Sequence, residues 1–97
     1  MKKKTKIRAT SLLAFQEILP TLERRELEVL KAIKKIQPCN NLMISEKLNL
    51  PVNCITGRVY SLRKYGLIIF YRKEKCPYTS RTTIFWKIPE WMSVVMI

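Results

Sequence analysis

Pro51 falls between two helical patterns, and that break limits what the stretch Leu42 to Gly66, LMISEKLNLPVNCITGRVYSLRKYG, can fold into. Proline has no N–H to donate and disfavours helical geometry at the preceding Leu50, so a helix can begin here but cannot run through. Before the break, Ile44 and Leu48 stand four residues apart on one face, with Asn40 or Asn41 placed to cap the exposed amides. After it, Val52, Ile55, Val59 and Leu62 recur at spacings of three, four and three, which makes one buried stripe on an otherwise polar helix. Gly66 stands where a left-handed C-cap belongs, with Arg63 and Lys64 in the favourable last turn. The pattern reads as a helix-turn-helix.

The flanks read as its support. Met1 to Arg8 has no apolar periodicity and is expected to be a mobile basic arm. From Thr10 or Ser11 as N-cap, Leu12, Phe15 and Leu19 predict a helix of two turns that Pro20 ends. Thr21 is placed to cap the next, where Leu22, Val29, Ile33 and Ile36 form a stripe widened by Leu30. Glu23 and Glu26 lie near its positive end, Lys34 and Lys35 near its negative end. Residues 37–41 are a loop. After Gly66 the period changes from helical to alternating: Leu67 to Arg72 and Thr82 to Ile88 predict two antiparallel strands, with Ile84, Trp86 and Ile88 on one face. Lys73 to Arg81, with Pro77 and dense charge, predicts a projecting loop. The expected fold class is α+β, a winged helix-turn-helix of three to four helices with a C-terminal two-stranded hairpin as the wing. It occupies residues 9–88, between the basic arm 1–8 and an apolar tail 89–97.

Charge is distributed as unevenly as structure. The 97 residues carry a net charge of +12, enough chain for a single domain that buries roughly 60–70% of its unfolded surface. Residues 1–8 contribute +5, residues 9–50 only +1, and residues 51–97 contribute +6. The positive half therefore begins at the second helix of the helix-turn-helix, a distribution suited to a polyanion. Cys39, Cys54 and Cys76, spaced by 15 and 22 residues with no histidine in the chain, do not make a metal site, and free thiols fit a reducing cytoplasm. No cofactor is expected. The N-terminal apolar run is broken at once by Gln16 and Glu17, unlike a signal peptide, and Trp91 to Ile97 is too short to span a bilayer. A soluble chain is expected.

The residues also carry a resemblance. ITGRVYSLRKYGLI followed by RKEKCPYTSRTTIFWK resembles the small winged helix-turn-helix proteins of bacteriophages and prophages, which share L-R-x-x-G-L-[IV], then K-x-C, T-[GS]-R and a closing tryptophan. The matching positions are Leu62, Arg63, Gly66, Leu67, Ile68, Lys75, Cys76, Thr79, Ser80, Arg81 and Trp86. TSLLAF and LERRELEVLKAI extend the likeness over roughly residues 9 to 88. L-R-x-x-G-L is common to many winged-helix regulators; the wing motifs sharpen it. The resemblance implies sequence-directed binding of duplex DNA, often regulatory. Ser80 stands where glycine is more usual, and the tail lies beyond the pattern.

Rotating the second helix by 100° per residue, with its stripe inward, turns Asn53, Cys54, Gly57, Tyr60, Ser61 and Lys64 outward, with Thr56 and Arg58 beside them. Residues 53–64 are the expected reader of a major groove about 12 Å wide, while residues 42–48 are scaffold. Asn53 can pair with adenine or serve as an N-cap, and Gly57 can admit a groove or relieve crowding against a neighbouring helix. Arg72, Lys73, Lys75 and Arg81 in the wing, and Lys2, Lys3, Lys4 and Lys6 in the arm, are the expected phosphate contacts. Trp86 belongs to the sheet face rather than to a base stack. Trp91, Met92, Val94, Val95 and Ile97 either cap the core or, with the first helix, form a homodimer. The sequence offers no histidine, phosphate loop or isolated carboxylate pair, so the expectation is double-stranded DNA binding by a transcriptional regulator rather than catalysis. A winged-helix module that binds a protein instead is the alternative.

Overall fold

Asparagine side chains and one left-handed residue set the frame of the helix-turn-helix. The computed structural model describes residues 9–95 and 97; the basic arm lies outside the described residues. Asn40 is the N-cap of helix α3 (Asn41–Leu48), its side-chain oxygen accepting from the Met43 amide at 2.9 Å. Asn49 closes that helix in the left-handed region at φ 57°, a conformation asparagine tolerates better than most residues. The Leu50 amide returns to the Ser45 carbonyl at 3.1 Å, and the Ser45 hydroxyl donates to the Leu50 carbonyl. Pro51 is then the N-cap of α4 (Val52–Lys64), and Gly66 ends that helix at φ 79°.

The upstream helices follow the expected order with different caps. Helix α1 (Leu12–Ile18) is capped by Ser11, which accepts from the Ala14 amide, and a 3-10 turn (Leu19–Thr21) carries the chain through Pro20. Thr21 does not cap α2 (Arg24–Ile36); its hydroxyl donates back to the Ile18 carbonyl. Glu23 takes that place in a reciprocal box with Glu26, which satisfies two orphan donors at once. The core lies where α1, α2, α3 and α4 meet, with Val29, Leu30, Ile33, Ile44, Ile55 and Leu62 fully buried. Val52 leaves the expected stripe and is 43% exposed; in the first turn of α4 it projects past the core to the wall of a cavity with Cys76, Thr79 and Ile84.

Strand boundaries also shift. Leu67 and Ile68 belong to the core, not to a strand, and β1 (Ile69–Lys75) runs on through charge that the sequence reading placed in a loop. It pairs antiparallel with β2 (Thr82–Lys87), where Glu74 and Lys75 face Thr83 and Thr82. Solvated positions in a two-stranded ribbon tolerate charged side chains, so composition there is a poor guide to where pairing stops. A bulge between Phe70 and Arg72 breaks the register, and both Phe85 and Trp86 are buried while Ile84 is 38% exposed. Phe85 is buried because the base of β2 is covered on both sides, and the alternation of Ile84, Trp86 and Ile88 fails at Ile84, which stands nearer the hairpin turn.

The hairpin is tied to the helices by the segment before α3. Cys39 and Trp86 exchange two backbone hydrogen bonds, at 3.0 and 2.7 Å. Asn40 Nδ2 donates to Thr83 Oγ1 at 2.9 Å, the Trp86 indole donates to Asn41 Oδ1 at 3.0 Å, and the Ile88 amide donates to Gln37 Oε1 at 2.9 Å. The tail packs back on the domain through a 3-10 turn (Glu90–Val94): Trp91 meets Phe15 with ring centroids 6.4 Å apart, and Met92 is fully buried. Four helices followed by an antiparallel hairpin make this an α+β fold with the winged-helix layout. No helix among the described residues is long and apolar enough to cross a membrane.

Asn40 serves both α3 and the hairpin, so its substitutions separate two contributions. Asn40→Ala is expected to lower stability by about 1–3 kcal/mol. Asn40→Asp keeps the cap but loses the donor to Thr83, and should fall between the two in urea unfolding.

Candidate nucleic-acid interface

Helix α4 contains no acidic residue and presents a polar side to solvent. Asn53, Cys54, Thr56, Gly57, Tyr60 and Lys64 are exposed, and Ser61 is half-buried. Asn53 is not a cap, since that position is Pro51. A Cβ built on Gly57 meets nothing within 4 Å, so no neighbouring helix requires this glycine. The Thr56 hydroxyl donates to the Val52 carbonyl at 3.1 Å, and the Lys64 ammonium lies 5.3 Å from the centre of the Tyr60 ring. Tyr60 itself is 62% exposed.

The two edges of this face are held differently. Arg58 turns toward the start of α2, with its guanidinium 3.9 Å from Glu23. Its Nε is buried without a hydrogen-bond partner. Nearby, burial first and then the charges of Glu26 and Glu23 push the Tyr65 phenol above its ordinary range. On the other edge, Arg63 lies 5.5 Å above the Trp86 ring and joins α4 to the hairpin. Tyr60, Arg63 and Lys64 share a cavity of about 530 Å³ with Phe70, which is 50% exposed. Arg63 and Phe70 were not singled out as contact residues by sequence; an aromatic in a strand and a cation in the last turn of a helix each have an ordinary structural explanation.

In the hairpin, Lys73, Lys75 and Arg81 are exposed and make no ion pair among the described residues. Arg72 is engaged: its Nε lies 2.7 Å from Glu74, and its guanidinium stacks 4.5 Å from the Tyr71 ring while donating to the phenol oxygen. The turn closes when the Cys76 amide donates to the Arg81 carbonyl at 2.7 Å and the Ser80 amide to the Cys76 carbonyl at 2.9 Å. Ser80 has φ 65°, which explains why glycine suits this place in the wing motif.

Cys76 is an unforeseen feature of the same turn. Burial raises the pKa of its thiol, but hydrogen bonds from the Asn40 side chain, the Tyr78 amide, and the side chain and amide of Thr79 outweigh it and lower the value to about 7. Cys39, by contrast, is pushed up to about 12 by burial. Lys2, Lys3, Lys4 and Lys6 lie outside the described residues, but the chain enters the domain at the end of α4, where the buried Ala9 donates its amide to the Tyr65 carbonyl at 2.7 Å. The structure thus brings the expected helix and wing residues onto adjoining elements, with Arg58 and Arg72 turned partly to internal partners. The chain matches no known protein family, and no characterised protein is significantly similar to it.

Two outcomes follow. Gly57→Ala should stabilise the protein by about 0.5–1 kcal/mol, since the methyl group has room and helical glycine is costly; thermal or urea unfolding measures this. With Cys76→Ser as reference, the native thiolate adds stability that is full above pH 9 and fades as pH falls through about 7, because the unfolded chain binds the extra proton between those values. Urea midpoints of both proteins across that range check the sign.

Proposed function

We propose that the protein binds duplex DNA in a sequence-directed way, without catalysis, and acts as a transcriptional regulator of the winged-helix kind. The observation that carries this reading is the acid-free solvent side of α4, bearing Asn53, Thr56, Tyr60, Ser61 and Lys64 around an open Gly57, beside a hairpin with Lys73, Lys75 and Arg81. A helix must approach a groove about 12 Å wide closely for short side chains to reach base edges, and a glycine with empty space around it favours that approach. Asn53 then meets adenine, and Tyr60 and Ser61 contact bases or sugar–phosphate oxygens. The wing cations meet phosphates or a narrow minor groove, and Lys2, Lys3, Lys4 and Lys6 extend that contact along the duplex. Phosphate contacts supply affinity; the helix supplies discrimination.

A two-fold dimer would place two such helices on half-sites roughly 34 Å apart. Trp91 and Met92 are already used within the chain, which leaves, among the described residues, Leu12, Leu13 and Val94, at 41%, 71% and 67% exposure, as the large exposed apolar residues of the first helix and tail. Sedimentation at micromolar concentration distinguishes the dimer from a monomer on a single site.

Selection of bound sequences from a random duplex pool tests the central reading. Enrichment of one motif is expected, and its absence would turn the same face toward a protein partner. On the selected duplex, Lys75→Ala should weaken specific and random DNA alike. Asn53→Ala and Tyr60→Ala should narrow the gap between them by about 1–3 kcal/mol. Engagement of about five phosphates predicts a log–log salt slope near −4 to −5.

A further inference from the structure

The C-terminal turns of α2 and α3 converge on a groove that has no part in the duplex reading. It encloses about 370 Å³ and is rimmed by Lys31, Lys34 and Lys35 of α2 and Lys47 of α3. None of these lysines forms an ion pair among the described residues. Ala32, Leu48 and Ile97 give the groove apolar walls. Glu28 also lines it, but that carboxylate is taken by Arg24 at 3.4 Å and Arg25 at 2.9 Å. The helix dipole accounts for basic residues in each last turn. It does not account for Lys31, nor for two basic helix ends meeting over apolar side chains.

We propose that this groove docks an acidic amphipathic segment of a partner protein, with Glu or Asp side chains on the lysine rim and Leu, Ile or Met side chains against Leu48 and Ala32. Charge complementarity selects the occupant. A rim of four lysines calls for an acidic occupant, which a second copy of a chain with net charge +12 supplies poorly, and a phosphate backbone gains nothing from apolar walls. An acidic helix or strand with an apolar side satisfies both halves of the site, in the manner of helix-in-groove recognition. Since no residue of α4 or the hairpin lines the groove, DNA and the acidic segment can be held together, and the proposal stands whether or not the reading face binds DNA.

The test uses the full chain and a short fluorescent peptide in which Glu and Leu occupy opposite sides at helical spacing, followed by anisotropy. A second peptide replaces every Leu with Ser at unchanged charge, and a labelled duplex is titrated in parallel. Saturable binding of the Leu peptide is expected, weakened about tenfold or more in the Ser peptide and in Lys34→Glu/Lys47→Glu. The exposed pair Lys31→Glu/Lys35→Glu should act in the same direction, and circular dichroism confirms that each variant is folded. Duplex affinity should change by less than about twofold. Equal binding of the two peptides would reduce the groove to general attraction for polyanions, and a parallel loss of duplex affinity in both lysine variants would make it a phosphate surface; either result overturns the proposal. A wild-type protein that binds the peptide but no duplex would refute the DNA reading alone.

Discussion

The exchange of backbone hydrogen bonds between Cys39 and Trp86 is the joint on which the arrangement of helix and wing depends. A two-stranded ribbon in water is at best marginally stable by itself. Here the segment before α3 adds a third line of backbone pairing at the base of the hairpin, and side chains of Gln37, Asn40 and Asn41 fasten it at further points. Trp86 is the centre of this joint: its backbone meets Cys39, its indole N–H meets Asn41, and Arg63 of α4 lies over its ring. The helix that would read a groove and the hairpin that would grip beside it are thus fixed to one side chain. Cys39 suits the position because its buried thiol, with a pKa near 12, stays neutral.

Stability and charge are divided between different parts of the molecule. The ion pairs among the described residues are Arg24 and Arg25 with Glu28, Arg58 with Glu23, and Arg72 with Glu74, and all are partly or well exposed. Exposed pairs contribute about 0–1 kcal/mol each. The fully buried Val29, Leu30, Ile33, Ile44, Ile55, Leu62, Leu67, Ile68 and Met92 carry the fold instead, at roughly 1.5–3 kcal/mol for each large side chain buried. Apart from Arg63 over the Trp86 ring, the exposed cations without ion pairs are therefore not what holds the fold together. They raise self-repulsion in the compact state, a cost that an anionic partner would relieve.

The helical half was legible in the sequence because its signals are local. Ile44, Ile55, Val59 and Leu62 are buried at the spacings that predicted them, and Pro51 and Gly66 punctuate the chain as their chemistry requires. The hairpin was legible in kind but not in extent. Charge at Lys73 to Lys75 concealed strand pairing, and the alternation expected in β2 failed where Ile84 is exposed and Phe85 is buried. The Cys39–Trp86 joint has no local signature, since it assembles residues far apart in the chain; around Cys76 the Asn40 donor is equally distant, while Tyr78 and Thr79 belong to the same turn. A cap at Asn40 or Asn41 was legible, but the second hydrogen bond of Asn40, to Thr83 43 positions away, could not be read from spacing.

An interior helical glycine costs about 1 kcal/mol relative to alanine, and such a residue commonly has a packing reason. In this structure a Cβ at residue 57 would stand in open space, so packing within the chain returns nothing for that cost. Apart from Val52, which leaves the stripe, and the buried Arg58 Nε without a hydrogen-bond partner, the same helix follows its local rules: its apolar stripe is buried at Ile55, Val59 and Leu62, its last turn is basic, and a glycine follows where the backbone turns left-handed. A local rule broken in an otherwise consistent element is expected at a functional position rather than a structural one. The break lies at the middle of the side that carries Asn53, Tyr60 and Lys64, on the element that Trp86 and Arg63 hold against the wing. In the duplex-binding proposal, close approach of DNA to the α4 backbone would give the missing return.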